Sequence, residues 1–377
     1  MSFRRTRAMF GKEFRHIVRD PRSLTMALAM PLLMLLLFGY ALNLDVDRIP
    51  TLVYDADHSA TSRELIQRFQ GSRYFDIRGF AEDDRAIEQG IDRNTILMGI
   101  SIPRDYSQRI QAGERANIQI LLDGSDSNTA SIALGYAESI MGSYAYELRS
   151  VGENRSMGLT LNVPIDPRLR VWYNNTLESK NYVVPGLVGV ILMIIAALLT
   201  SLTVSREFEV GTLEQLLSTP VRASEIVLGK MLAFFLIGAV DALTSILAGI
   251  YVFHVPFRGS VPLLAATTCV FLSGAFFMGI LVSAVAKSQL LAFQLGVLTS
   301  FLPSFLLSGF IYAIENMPQG IQVITRFVPA RYFITILKGI FLKGVGLDVL
   351  WPEFAFLAGF ATLVFFLATR KLSQKLA

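Results

Sequence analysis

One cysteine, three histidines and two tryptophans are all that 377 residues supply of those types, and each shortage closes off a chemistry. Cys269 has no second cysteine to pair with, so no disulfide joins parts of the chain. His16, His58 and His254 fall in three separate regions, and none has a second histidine at ligand spacing, which leaves no legible zinc or haem site. No G-x-S-x-G elbow and no H-E-x-x-H helix occur. The phosphate-cradling G-x-x-x-x-G-K-[ST] is missing too: "LGKM" at Leu228 and "FGKE" at Phe10 lack both the leading glycine and the hydroxyl residue. This chain by itself does not hold a nucleotide in the P-loop manner. Charge is also scarce, at 17% against 53% hydrophobic residues. With a mean hydropathy of +0.49, that excludes an ordinary soluble domain.

Long apolar runs take the place of those features. A hydrocarbon core needs about 20 apolar residues in helical form, and six stretches qualify: Leu24 to Leu42, Tyr182 to Val204, Met231 to Phe253, Val261 to Ala286, Gln289 to Tyr312 and Val349 to Thr369. Basic residues set their orientation. Arg4, Arg5, Arg7, Lys12, Arg15, Arg19 and Arg22 precede the first run, and Arg370, Lys371 and Lys375 follow the last. Both termini are therefore expected in the cytoplasm. The leader 1–22 carries Phe10, Phe14, Ile17 and Val18 at helical spacing and stops at "RDP", as an amphipathic helix in the headgroup layer would, its arginines toward anionic lipid. The first run is too long for the core of a signal peptide, about 7 to 15 residues, and is expected to stay as an uncleaved span at 23–42.

Residues 43–181 form an insert of domain size in which strand-like and helix-like segments alternate, from "RIPTLVYDAD" and "SATSRELIQRFQ" to "ANIQILLDGSD" and a long final helix. Such alternation predicts an α/β layer with a mainly parallel sheet, here extracytoplasmic. Its 20 acidic and 15 basic side chains do not make a nucleic-acid surface. The "DGSDS" aspartates lack the spacing of a calcium loop and read as a turn. The fold class is thus a polytopic α-helical membrane protein with six transmembrane helices and an inserted α/β domain between helices 1 and 2. Spans two to six fill 182–377.

Asp241 is the acidic side chain set near the middle of a span, where a carboxylate costs about 2.5 to 3.5 kcal/mol on insertion scales. Two readings stay open: it lines a pathway or senses protons, or it hydrogen-bonds Thr244, Ser245 or a neighbouring helix and fixes packing. Gly238, Gly249, Gly274, Gly279 and Ala275 suit close helix approach.

Between the second and third spans lies "SREFEVGTLEQLLSTPVRASEIVLGK", residues 205–230. "SREFEV" extends the second helix past the membrane, Gly211 breaks it, and Thr212 with Gln215 offers a capping box for a short surface helix with Leu213, Leu216 and Leu217 on one side. Glu207, Glu209 and Glu214 supply acidic contacts for a partner. This segment resembles the R-E-x-E-x-G-T-x-E-x-L-x-x-T-P stretch of ABC-2 type export permeases, the membrane subunits of ATP-binding-cassette exporters. "FRHIVRDP", "PLLMLLLFGYALNLD", "FLPSFLLSGFIYAIENMP" and "PARYF" match in order, and the large insert is similar to that of the multidrug-efflux-like branch.

The resemblance implies a half-transporter. Two permeases, identical or paired with a sister, would join two ATPase subunits that bind ATP and Mg, no cofactor being held by this chain. The family's coupling region maps onto Arg206, Glu207, Glu209, Gly211, Thr212 and Glu214. Residues 312–348 would be re-entrant on the outer side, with Ile321, Ile324, Phe327 and Val328 as one apolar face of an exit gate, or else a loop covering the bundle. A periplasmic membrane-fusion adaptor would meet the insert, and the location would be a bacterial inner membrane. The expected cargo is amphipathic or lipophilic. A lipid-linked polymer or an ion is the alternative within the family. Outside it stand an ion-coupled transporter using Asp241 and a sensory protein with a ligand-binding insert.

Overall fold

The computed structural model describes residues 2–42, 47–157, 178–212, 219–286 and 288–376. The chain divides into two compact units, one of residues 1–43 and 171–377, the other of residues 44–170.

In the smaller unit, β1 (Ile49–Asp55), β2 (Phe75–Phe80), β3 (Met98–Ile102) and β4 (Gln119–Leu122) form one sheet in the order β2-β1-β3-β4. β1 runs parallel to β2 and β3, and β4 is antiparallel to β3. Every residue of β3 is buried, as an inner strand covered on both faces requires. The helices are α3 (Ala60–Gln70), α4 (Asp84–Asp92), α5 (Tyr106–Gln111) and α6 (Ser127–Met157). α3 starts where Ser59 and Ser62 cap each other's amides reciprocally, which satisfies donors that a helix start leaves free.

Asp57 ties the end of β1 to α5, accepting from Ser107 Oγ at 2.8 Å and from the Ser107 amide at 3.3 Å. Burial pushes its carboxyl up, but hydrogen bonds from Ser59 and Ser107 and the nearby His58 together hold it below the ordinary carboxylate value. As pH falls, the unfolded chain with its higher pKa takes the proton first, so this contribution is present above about pH 4 and is lost as pH drops through the folded value. Hydrogen-exchange protection of the Ser107 amide is expected to fall over that window in the native chain. In Asp57→Asn the acid dependence should flatten; an unchanged profile would count against this linkage.

The larger unit is helical: α1 (Phe3–Arg19), α2 (Pro21–Ala41), α7 (Lys180–Ser201), α8 (Thr203–Glu209), α9 (Ala223–Tyr251), α10 (Val261–Val285), α11 (Gln289–Leu306), α12 (Gln319–Thr325), α13 (Pro329–Lys338) and α14 (Leu347–Leu376). Among the described residues, five stretches are long and apolar enough to cross a membrane: Lys180–Glu209, Ala223–Tyr251, Val261–Val285, Gln289–Leu306 and Leu347–Gln374. The first expected span is α2, whose apolar part, Ala27–Ala41, is shorter. α7 is the hub, packed on α2, α9, α10, α11 and α13. Its most apolar stretch is 72% buried, against 17% for α14, which marks the first as the bundle's centre and the second as its rim.

α11 ends at Leu306, short of the expected Tyr312. Gly309 takes a left-handed conformation, φ +78°, open to glycine without steric penalty. Tyr182 Oη donates to its carbonyl at 2.7 Å and pins the corner. Beyond it, α13 buries Phe333, stacked 4.0 Å from Phe271, together with Ile334, Ile336 and Leu337. Two basic residues of this region lie against protein: Arg331 donates to Thr325 Oγ1 at 2.6 Å, and Lys338 Nζ sits 3.3 Å over the Tyr182 ring.

The small residues of α10 let backbones meet. A β-carbon on Gly279 would lie 2.5 Å from the Ala197 carbonyl oxygen of α7, whereas one on Gly249 of α9 would meet only the Val184 side chain, at 3.3 Å. Gly279→Ala is therefore expected to lower stability by about 1–3 kcal/mol through overpacking, and Gly249→Ala much less. Thermal unfolding in detergent checks the pair, and equal midpoints would contradict it.

Candidate functional site

Three helices converge where the quoted segment 205–230 leaves and rejoins the bundle. α7 ends at Ser201 and α8 begins at Thr203. The Val204 and Ser205 amides near that break both donate to Ser283 Oγ of α10, each at 2.9 Å, so the junction is held by a neighbour rather than by its own helix alone. α8 runs to Glu209, and Gly211 follows with φ +75°, the left-handed turn that ends helices.

α1 lies along the start of α9. Its buried positions Thr6, Met9, Glu13 and Ile17 form one stripe, and Gly229 lets it approach: a β-carbon there would come within 2.5 Å of Met9 Cβ. The Ser2 amide donates to Glu225 Oε1 at 2.6 Å, and Arg5 Nη1 donates to the Pro220 carbonyl at 2.5 Å. Of the apolar residues read from sequence, Ile17 belongs to this stripe. Phe14 and Val18 are exposed, because the close-packed stripe turns them to the flank, where Phe14 stacks on Phe10.

Four charges close the junction. Lys230 Nζ of α9 stands 2.9 Å from Glu13 Oε1 of α1 and 3.0 Å from Glu207 Oε2 of α8. Lys12 Nζ is 2.6 Å from Glu207 Oε1 and 3.7 Å from Glu13 Oε1. Two cations and two anions alternate across three helices. Lys230 is 1% exposed, so its charge is sustained by the two carboxylates. The cluster thereby links α8 to both α1 and α9.

The residues expected from sequence as a coupling set divide. Arg206 is exposed, and among the described residues its guanidinium has no hydrogen-bond or ion-pair partner. Glu207, expected as an outward acidic contact, is instead turned into the four-charge cluster. Glu209 is exposed but accepts from the Gln289 amide at 2.8 Å and its side chain at 2.5 Å, tying α8 to the start of α11. Thr212 Oγ1 donates to the Glu207 carbonyl at 3.4 Å. Glu214, Gln215 and the leucines of the expected surface helix lie outside the described residues.

Asp241 is buried in α9, and among the described residues neither its carboxyl oxygens nor Ser245 Oγ has a hydrogen-bond partner. The hydrogen bonds to Thr244 and Ser245 considered from sequence are not formed by the Asp241 carboxyl; Thr244 Oγ1 donates to the Asp241 backbone carbonyl. The gate residues do not share a face. Ile321, Ile324 and Phe327 are exposed, at 38%, 54% and 75%, and Val328 is buried at 5%. α12 stops at Thr325, so Phe327 and Val328 follow the corner into α13 and leave the helical register.

Lys12, Glu13 and Lys230 are the members that sequence reading passed over. Lys230 stood just outside the expected third span and read as a flank. Its signal was spacing: Lys230, Phe234, Ile237 and Asp241 fall at i, i+4, i+7 and i+11, all on the buried side of one helix. Among the described residues no group of three or more His, Cys, Asp or Glu side chains is placed to hold a metal ion.

The class of protein follows from comparison with known sequences. Residues 21–370 match the family described as ABC-2 family transporter protein, and the chain belongs to that family. It is 34% identical to the probable multidrug ABC transporter permease YbhS of Escherichia coli strain K12, over 100% of this chain and 98% of the relative. It is 33% identical to YbhR of the same strain, with the same descriptive name, over 93% of each. The linearmycin resistance permease protein LnrN of Bacillus subtilis strain 168 is 22% identical over 95% of this chain and 96% of its own length.

Proposed function

We propose that this chain is the permease subunit of an ATP-driven exporter that moves amphipathic or lipophilic compounds outward across a bacterial inner membrane. Two copies, or one copy and a sister permease, work with two separate ATPase subunits that bind ATP and Mg. The α1–α8–α9 joint faces the cytoplasm and receives their motion, the spans rock between inward and outward forms, and the unit at 44–170 stands on the periplasmic side, where a membrane-fusion adaptor would meet it. The observation that carries this reading is the four-charge cluster built on Glu207, inside the segment whose sequence resembles the coupling region of such permeases. The multidrug names of the relatives support the cargo class over a lipid-linked polymer or an ion.

Purification with endogenous partners tests it. A P-loop ATPase is expected to accompany the chain, with ATP hydrolysis that responds to added lipophilic compounds. Recovery of the chain without any ATPase would overturn the proposal. Disturbing Glu209 reads the same interface more finely: Glu209→Ala frees α8 from Gln289 and is expected to reduce compound-stimulated ATP hydrolysis several-fold while the complex still assembles.

A second reading, a transporter driven by an ion gradient, is favoured only by the unpartnered Asp241 carboxyl. Transport by the reconstituted chain on a proton gradient, with no ATPase present, would support it.

A further inference from the structure

A cavity of about 620 Å³ lies against the joint, enclosed by α1, α2, the α7–α8 junction and α9. Its size falls in the range of about 300 to 1,000 Å³ typical of small-ligand sites. Its lining is divided. One end is apolar, walled by Ile17, Leu24, Ala27, Leu199, Phe234 and Ile237, and the other is charged, with Lys12, Glu13, Glu207 and Lys230 beside Arg206 and His16.

Most of those charges are already matched. Lys12 and Lys230 close on Glu13 and Glu207, and Asp20, also at the wall, is engaged elsewhere. Among the described residues nothing pairs with the Arg206 guanidinium, the group best shaped to grip a carboxylate or phosphate with two parallel hydrogen bonds. The opposite end, walled by Phe234 and Ile237 of α9, is apolar and suits a hydrocarbon chain.

We propose that this cavity binds a single-chain amphiphile with an anionic head, drawn from the leaflet that borders α1. The head lies on Arg206 and the chain runs along Phe234 and Ile237. This deepens the export reading by assigning where an amphipathic cargo is held before the spans rock. Binding does not need the ATPase, so it fails or succeeds separately from the co-purification above.

The test uses the full chain in phosphatidylcholine nanodiscs and the fluorescent carboxylate 11-(dansylamino)undecanoic acid. Saturable binding above that of empty nanodiscs is expected. Arg206→Gln should weaken it about tenfold, or about 1.4 kcal/mol, and so should replacing the probe by its methyl ester. Ala27→Phe, which fills the apolar end, should abolish it. Because that variant risks misfolding, a diazirine-bearing fatty acid gives an independent reading on the unmodified chain, with label expected in the α9 peptide that carries Phe234 and Ile237. Signal equal to that of empty nanodiscs, equal affinity for the ester, unchanged affinity in Arg206→Gln, or label confined to other helices would each overturn the proposal.

Discussion

In Lys230→Met, Glu13 and Glu207 are left facing each other with their shared cation gone, and the variant is expected to lose about 3–5 kcal/mol of stability, the usual result of removing one partner from a buried pair. Burial decides the size. Lys230 is 1% exposed and Glu13 5%, so the loss of the ammonium leaves two largely buried carboxylates bridged only by Lys12. Lys12 itself is a useful control. It contacts the same two acids, yet its side chain is 46% exposed, and a pair with one partner in water is worth about 0–1 kcal/mol. Lys12→Met should therefore shift thermal unfolding in detergent little. The triple variant Lys230→Met, Glu13→Gln, Glu207→Gln removes the uncompensated charge and should recover most of the stability, since replacing a buried ionic cluster by uncharged groups is often neutral. On the export reading it should not recover ATP-dependent transport, because α1, α8 and α9 would no longer be locked together by charge. Equal midpoints for Lys230→Met and Lys12→Met would refute the cluster as a structural joint.

Part of this architecture is legible in the residues alone. The strands and helices between 49 and 157 follow a period that changes from two to about 3.6 at capping residues such as Ser59, and local rules of that kind need no knowledge of the rest of the chain. The apolar lengths of the spans are equally local. Tertiary choices were less visible. Which face of α1 meets the bundle was not legible, because the deciding partner is a glycine 220 positions along, Gly229, whose missing side chain admits Met9 and brings Glu13 to Lys230. The apolar face expected of Ile321 to Val328 assumed one continuous helix, and a corner after Thr325 broke it. Charge patterns suffered most. Glu207 and Lys230 both looked like surface residues of a loop, since nothing in a linear sequence shows that two flanks of different spans close on each other and on a leader helix.

Asp241→Val should stabilise the chain, against the usual direction for a change in a buried position. Among the described residues both carboxyl oxygens lack a hydrogen-bond partner, and the residue is only 1% exposed. The side chain is buried within a single chain, so a partner permease does not supply the missing donor by direct contact. On insertion scales, exchanging aspartate for an aliphatic residue at mid-span gains about 3 kcal/mol, and valine is near enough in volume to keep overpacking small. A rise in the thermal midpoint of detergent-solubilised Asp241→Val is the expected result, and a fall would mean that the carboxyl has a stabilising role that its surroundings here do not supply. Asp241→Asn then separates two reasons for keeping such a residue. If export is driven by ATP through the α1–α8–α9 joint, the amide variant should retain ATP-dependent transport, and the carboxyl serves the rocking of α9 against α10 by disfavouring one tightly packed state. If an ion gradient drives transport, the same substitution should abolish gradient-dependent movement while leaving the fold as stable as before. Stability and transport thus respond in different combinations, and the pair of variants measured side by side assigns the carboxyl to one role.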